Sequence, residues 1–254
     1  MKLQSLSLVQ LSLLWTLCLF LFPLLLLQGW YTRRTTVRLP DGKPPAEGCF
    51  DEDQDGDQPN IQIVGVGDSV IAGVGVSQMT ESVTAQVAAE LAATLGGGVS
   101  WRALGVNGEK SEELLVRLGE ISVGRPDVFL VSIGVNDVTA VTGVLKWQFN
   151  IIKLLAELRD LRPGLVVLLG VPPMEYFSAL PVPLRQVLGI RAAMLNHTLR
   201  QAAELLKDVC WVDLRDDFDS SHLASDGYHP NATACRDIAV HVASVVAEKL
   251  REAS

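Results

Sequence analysis

The chain has 254 residues, 48% of them hydrophobic and 20% charged, with a formal net charge of -8 and a mean hydropathy of +0.28. A chain this apolar can bury enough surface to offset its ordering entropy, which excludes a disordered or collagen-like protein. Its acidic balance, with a pI of about 5.0, offers no basic face to phosphate backbones and argues against nucleic acid as a partner.

No charged residue occurs between Leu3 and Leu27, and leucine dominates there. Part of the apolar excess therefore belongs to a membrane-directed segment, residues 1–31. The run from Leu11 to Leu27 is about as long as a helix that crosses a ~30 Å hydrocarbon layer, and Trp30 and Tyr31 stand at its far boundary, where amphipathic rings settle. Nothing around Gln28-Gly29-Trp30 resembles a small-x-small cleavage site, and Trp15, Thr16 and Leu17 are too bulky to precede a lipoprotein Cys18. This favours an uncleaved signal anchor, with a cleaved signal that exports the domain to the cell envelope as the alternative. Lys2 lies on one side and Arg33, Arg34 and Arg38 on the other. The positive-inside rule leans towards a cytoplasmic domain and the signal-like layout towards export, so both orientations stand.

Residues 32–60 read as a linker, rich in Pro, Gly and acid from Pro40 onward. Within it Asp51, Asp53, Asp55 and Gly56 imitate the start of an EF-hand loop, and Asp57 could serve through its carbonyl. The twelfth position is Gln62, where a bidentate Glu belongs, so a solvated acidic linker is the better reading. Cys18, Cys49, Cys210 and Cys235 are scattered without CxxC spacing, which indicates neither a zinc site nor a disulfide framework.

From Ile61 to the C-terminus, short apolar runs alternate with longer helical patterns. Strands are predicted at Ile61–Val66, Val99–Leu104, Asp127–Ile133, Leu165–Val171 and Cys210–Leu214. Helices are predicted at about Glu81–Leu95, Ser111–Leu118, Lys146–Leu161, Leu188–Lys207 and Ala232–Glu252. Near-continuous apolar strands separated by helices call for a parallel sheet covered on both faces. Residues 61–254 thus form one α/β domain, a three-layer α/β/α doubly wound sandwich with a mostly parallel sheet of about five strands. In such sheets ligands sit outside the carboxyl ends of the strands.

The residues at those ends are Gly65-Val66-Gly67-Asp68-Ser69-Val70, Gly105-Val106-Asn107-Gly108, Gly134-Val135-Asn136-Asp137 and Asp226-Gly227-Tyr228-His229-Pro230. A serine, glycine amides, an asparagine amide and an Asp/His pair are the parts that acyl transfer through a tetrahedral oxyanion needs. Other readings of the glycines fail. A dinucleotide fingerprint lacks its third glycine at Val70, a P-loop is interrupted by Glu109 in Gly108-Glu109-Lys110-Ser111, and a G-x-S-x-G elbow lacks its second glycine at Ile71.

The ordered set Gly67-Asp68-Ser69, Gly108, Gly134-x-Asn136-Asp137 and Asp226-x-x-His229 resembles the four blocks of the SGNH/GDSL hydrolases, over about Ile61 to the C-terminus. Val70 stands where that family's first block has leucine, a departure that touches packing only. The resemblance implies the family's flavodoxin-like fold and a serine esterase or lipase that needs no metal or organic cofactor. It implies Ser69 as nucleophile, His229 as general base and Asp226 as the group that orients the imidazole. It also implies an oxyanion hole of the Ser69 and Gly108 backbone N–H groups and the Asn136 side-chain amide. Gly105 is the rival for the glycine, and Gly108 is chosen because it stands at a helix entrance.

Each residue also has a plainer role available. Ser69 could cap a helix, Asn136 could cap one or build an Asx turn, and Asp137 reads as structural. Asp219-x-x-His222 repeats the spacing of Asp226-x-x-His229, but only the later pair encloses a glycine and leads through Pro230 into the last helix. His197 and His241 fall within predicted helices and read as packed or solvated.

The family's substrates are carboxylic esters and thioesters, including aryl esters, lysophospholipids and acetylated sugars. The proline-rich apolar loop from Pro172 to Leu184 reads equally as an acyl-pocket wall and as a packed connection. An anchor beside an apolar loop tilts the expectation towards lipid or acyl esters, with an envelope sugar O-acetylesterase or acyltransferase as the alternative. A non-catalytic binding module on the same scaffold is disfavoured, because every reactive part is present. Asn196-His-Thr198 and Asn231-Ala-Thr233 are glycosylation sequons that matter only in a eukaryotic secretory pathway.

Overall fold

A computed structural model describes residues 3–50, 61–121, 123–214, 218 and 220–253. Two apolar helices come first, α1 (Leu8–Leu17) and α2 (Phe22–Thr35), joined by a 3-10 turn at Cys18–Leu21. Six strands follow among the described residues: β1 (Glu47–Phe50), β2 (Ile61–Gly67), β3 (Val99–Gly105), β4 (Val128–Ser132), β5 (Leu165–Leu169) and β6 (Val209–Val212). They are threaded by α3 (Val83–Leu95), α4 (Ser111–Leu118), α5 (Val135–Thr139), α6 (Val144–Asp160) and α7 (Leu184–Glu204), and α8 (Ala232–Ala253) closes the fold.

The strands make one sheet in the order β1-β3-β2-β4-β5-β6, parallel throughout except for β1. All residues of β4 and β5 are buried, as strands covered on both faces must be. Helices α3 and α8 cover one face, packing Val83, Ala88 and Leu91 with Ala239, Val242 and Val246. Helices α4, α6 and α7 cover the other around Leu114, Trp147, Ile151 and Leu195, and the Trp147 indole N–H donates to the Leu195 carbonyl at 3.2 Å. Each of the larger buried aliphatic side chains contributes about 1.5–3 kcal/mol, so the two apolar layers hold the sheet between them.

The strand beyond the five read from sequence is β1. It lies in the stretch read as linker and pairs antiparallel with β3, from Glu47 against Arg102 to Phe50 against Val99. Four residues reading Glu-Gly-Cys-Phe carry no alternation to announce a strand. The first residues of the same stretch continue α2 as far as Thr35. The EF-hand-like positions Asp51, Asp53, Asp55, Gly56 and Asp57 lie outside the described residues. No disulfide joins the described cysteines.

Because β2 sits between β3 and β4, the chain leaves it first to one side and then to the other. The crevice over the carboxyl ends of β2 and β4 is therefore the topological switch point, where an open α/β sheet takes its ligands.

Candidate active site

Ser69 leaves β2 directly into this crevice. The chain expected to enter a helix there instead folds into tight turns, with Ala72 N–H donating to the Asp68 carbonyl at 3.1 Å and Val74 N–H to the Ser69 carbonyl at 3.0 Å. Helix α3 starts only at Val83, and its cap is Ser82, whose hydroxyl accepts from Ala85 N–H. Ser69 is thus no helix cap, and its side chain is left to other partners.

That partner comes from the far end of the sequence. His229 Nε2 lies 3.0 Å from Ser69 Oγ, and His229 Nδ1 lies 2.6 Å from Asp226 Oδ2. A carboxylate can only accept, so the ring proton belongs on Nδ1 and leaves Nε2 to accept the serine hydroxyl. The Asp-x-x-His spacing builds this locally. Asp226 Oδ1 accepts the backbone N–H groups of Tyr228 at 2.9 Å and His229 at 3.0 Å, an Asx-type turn that aims Oδ2 at the ring. Burial raises the Asp226 carboxyl, but its bonds from the His229 ring and from these two backbone amides outweigh burial and hold it below its ordinary value.

Gly108 and Asn136 follow the strands on either side of β2, so they flank the serine. Among the described residues neither the Ser69 nor the Gly108 backbone N–H has a hydrogen-bond partner. The Asn136 side-chain amide donates one proton to the Glu109 carbonyl at 3.0 Å, which leaves its second proton unspent. Asn136 lies inside α5 and so caps no helix with its side chain. The two glycines of the second block separate cleanly. A Cβ on Gly105 would lie 2.1 Å from the Ala72 backbone nitrogen, a packing requirement, whereas Gly108 faces open space at φ +85 just ahead of α4.

Several supporting groups were invisible in the spacing. Asp68, 1% exposed, accepts from Ser132 Oγ at 3.1 Å and from Val70 N–H at 3.2 Å. Burial pushes its carboxyl up to about 7 against the pull of those two bonds. Beneath the Gly108 turn, Arg117 Nε and Nη2 grip the Glu109 carboxylate at 2.6 and 2.7 Å, and Nη2 also donates to the Leu104 carbonyl at 3.1 Å. Asp137 is structural, as expected. It accepts the backbone N–H of Ser111 at 2.9 Å and its hydroxyl at 2.8 Å, tying the third block to the start of α4, and Asn150 Nδ2 donates to that hydroxyl at 2.9 Å. Among the described residues no group of three or more His, Cys, Asp or Glu converges as metal ligands.

The other histidines stand elsewhere. His222 Nε2 lies 3.3 Å from Asp237 Oδ2 on α8, and its ring centroid is 5.9 Å from that of Phe218. Asp219 lies outside the described residues. His197 and His241 are within α7 and α8. Both sequon asparagines serve the backbone: Asn196 is buried and bonds both polar groups of Val171, and Asn231 Oδ1 accepts from Ala234 N–H at the start of α8.

The Pro172–Leu184 loop divides its apolar residues. Phe177 and Leu180 are buried in the core, while Tyr176 and Val182 are half-exposed. Its Ala179 N–H donates to the Gly227 carbonyl at 3.1 Å, and the Phe177 and Tyr228 rings pack T-shaped with centroids 4.9 Å apart, so the loop braces the turn that carries His229.

Comparison with known proteins bears on the fold and the family. A search of the curated proteins by sequence finds no match. Among solved structures, the psychrotrophic esterase EstA from Pseudoalteromonas sp. is 20% identical, with 76% of this chain and 100% of that chain covered and a TM-score of 0.57. A carbohydrate esterase family 3 structure from Talaromyces cellulolyticus is 17% identical, with 76% and 100% covered and a TM-score of 0.57. LAE5, an alpha/beta hydrolase from the metagenome of Lake Arreo, is 18% identical, with 74% and 94% covered and a TM-score of 0.56. At these identities the likeness carries the fold. The profile of the GDSL-like lipase/acylhydrolase family matches residues 66–236, from the end of β2 into α8. With that match covering well over half its length, the chain belongs to the GDSL-like lipase/acylhydrolase family and is a carboxylic ester hydrolase.

Proposed function

We propose that Ser69, His229 and Asp226 cleave carboxylic esters through an acyl-enzyme, with the Ser69 and Gly108 backbone N–H groups and the Asn136 amide receiving the oxyanion. The observation that carries this reading is the unbroken line from Ser69 Oγ through His229 at 3.0 Å to Asp226 at 2.6 Å. In the first step His229 Nε2 takes the Ser69 hydroxyl proton as Oγ bonds to the ester carbonyl carbon. The electron pair moves to the carbonyl oxygen, where the three donors meet it. Collapse restores the carbonyl and expels the alcohol, which leaves with the proton from His229. Water repeats the sequence against the acyl-enzyme and releases the acid. Asp226 keeps the ring in the Nδ1–H tautomer and balances the imidazolium charge.

Lipid or other acyl esters are the substrate class we assign, because the apolar Pro172–Leu184 loop adjoins the His229 turn and the run Leu8–Thr35 is long and apolar enough to associate with a membrane. A fluorophosphonate probe tests the nucleophile. The adduct is expected on the peptide bearing Ser69 and absent in Ser69→Ala; an adduct elsewhere overturns the assignment. A series of p-nitrophenyl esters tests the substrate, with turnover expected to rise beyond acetyl. Preference for acetyl groups and for acetylated glycans would move the reading to a sugar O-acetylesterase.

A further inference from the structure

We propose that α1 and α2 lie flat on a membrane surface instead of crossing it, with the catalytic domain seated on one of their faces and lipid on the other. The proposal rests on the membrane association read above and is independent of the esterase assignment. Composition alone suggests a span, since the run is long and apolar enough for one. The packing says otherwise. Leu11, 2% exposed, is buried against Ile190, Ala193 and Met194 of α7, and Trp15 and Cys18 pack on the same cluster. The Arg191 guanidinium sits 5.2 Å from the centroid of the Trp15 ring. Further along, Leu25 packs against the main core, and the Gln28 side chain donates to the Val182 carbonyl at 2.7 Å and accepts from Leu184 N–H at 3.1 Å.

These contacts recur at helical spacing from Leu11 to Gln28, a run of ~25 Å. A helix fastened to its own domain over that length cannot also be sheathed by lipid across a ~30 Å hydrocarbon layer. To cross, it would have to draw charged Arg191 and the polar backbone of the Pro172–Leu184 loop into the hydrocarbon with it.

The opposite face identifies the occupant. Val9, Leu13, Leu17, Phe20, Leu24 and Leu27 all stand exposed on it. This strip ends in exposed Trp30 and Tyr31 and then in exposed Arg33 and Arg34, with the Arg34 guanidinium 4.2 Å from the centroid of the Trp30 ring. An apolar face that gives way to aromatic rings and then to cations, in a chain of net charge -8, is complementary to acyl chains bordered by anionic headgroups.

The test uses the full chain, purified in detergent and added to sealed phosphatidylcholine/phosphatidylglycerol vesicles. Cys18 and Cys49 are replaced by alanine, leaving only the buried Cys210 and Cys235, and a reporter is introduced as Ser5→Cys or Val37→Cys. Both reporters are expected to react with a membrane-impermeant maleimide on intact vesicles as fully as they do in detergent. Protection of either one until the vesicles are opened would mean a spanning helix; membrane association would stand and the flat arrangement would fall. Failure to sediment with vesicles, or a lipid-free dimer that buries the strip, would overturn both. As a second arm, the triple change Leu13→Glu, Phe20→Glu and Leu24→Glu touches only the exposed face. It is expected to abolish co-sedimentation while turnover of a soluble ester is retained; co-sedimentation surviving in this variant overturns the proposal.

Discussion

His222 and His229 each close the sequence pattern Asp-x-x-His, and the two histidines lie on the two arms of a single turn. Leu223 and Pro230 bridge antiparallel, and Ala224 N–H donates to the His229 carbonyl at 2.8 Å. That hairpin sends the two rings apart, His229 over β2 to Ser69 and His222 onto α8 beside Asp237. Spacing alone therefore does not separate the two histidines, and the surrounding fold decides whether a ring nitrogen faces a nucleophile or a surface acid. The largest predicted effect tests that division. His229→Ala should lower kcat by about 10⁶-fold, the scale on which loss of a triad histidine acts, with a native circular dichroism spectrum. A variant that keeps substantial turnover would show that the His229 arm is not the catalytic one.

The far side of the crevice, where the oxyanion is proposed to sit, extends the comparison. Asn136 makes one bond inward, to the Glu109 carbonyl, and its second amide proton has no partner among the described residues, as the proposed oxyanion role requires. Asn136→Ala should reduce kcat by ~10²–10³ with KM little changed, because the lost donor acts only on charge developed in the transition state. An effect confined to KM would reassign Asn136 to ground-state binding.

What could be read from sequence follows the same divide between local and distant. The continuous apolar runs of β4 and β5 announce buried parallel strands, and Ser69 and His229 stand out because four short blocks occur in order at strand ends. Strand β1 stays hidden, since its pairing with β3 depends on a partner about fifty residues away. The same holds for the grip of Arg117 on Glu109, the tie of Asp137 to Ser111 and the clamp of Gln28 on the Val182–Leu184 backbone. No spacing rule joins those pairs; packing of the finished layers does.

Two aspartates beside the reactive groups carry the comparison into pH. Asp226, bonded by the His229 ring and two amides, is held low, whereas Asp68, next to the serine, is buried with only two donors and stands at about 7. The proton on Asp68 is thus bound more tightly in the folded chain than in the unfolded one, where a carboxyl titrates near ~3.9. The stabilisation from that proton is complete below ~4 and is lost as pH rises to about 7. Asp68→Asn keeps an oxygen that accepts from Ser132 and Val70 and removes the titration. The variant should be more stable than the parent above pH 7, by at most about 4 kcal/mol, with the gap closing towards pH 4 in thermal melts. A gap that widens on acidification would mean that Asp68 is ionised in the folded chain throughout.

The smallest effect completes the contrast with which the two histidines began. His222→Ala removes a mostly buried ring that lies beside the exposed Asp237 and leaves its backbone in place, where the His222 carbonyl accepts from Asn231 N–H at 2.9 Å. Loss of the ring and of its packing beside Phe218 should destabilise the fold by about 1 kcal/mol. Turnover should stay close to the parent's, because the backbone bridge between Leu223 and Pro230 survives the substitution and the ring contacts from His222 reach His229 only at third hand, through Phe218, Phe177 and Tyr228. If kcat falls in His222→Ala while His229→Ala remains active, the two arms exchange roles. If kcat falls in both, the bridge or the chain of aromatic contacts passes the position of one ring to the other, and the hairpin acts as a single unit instead of two separable arms.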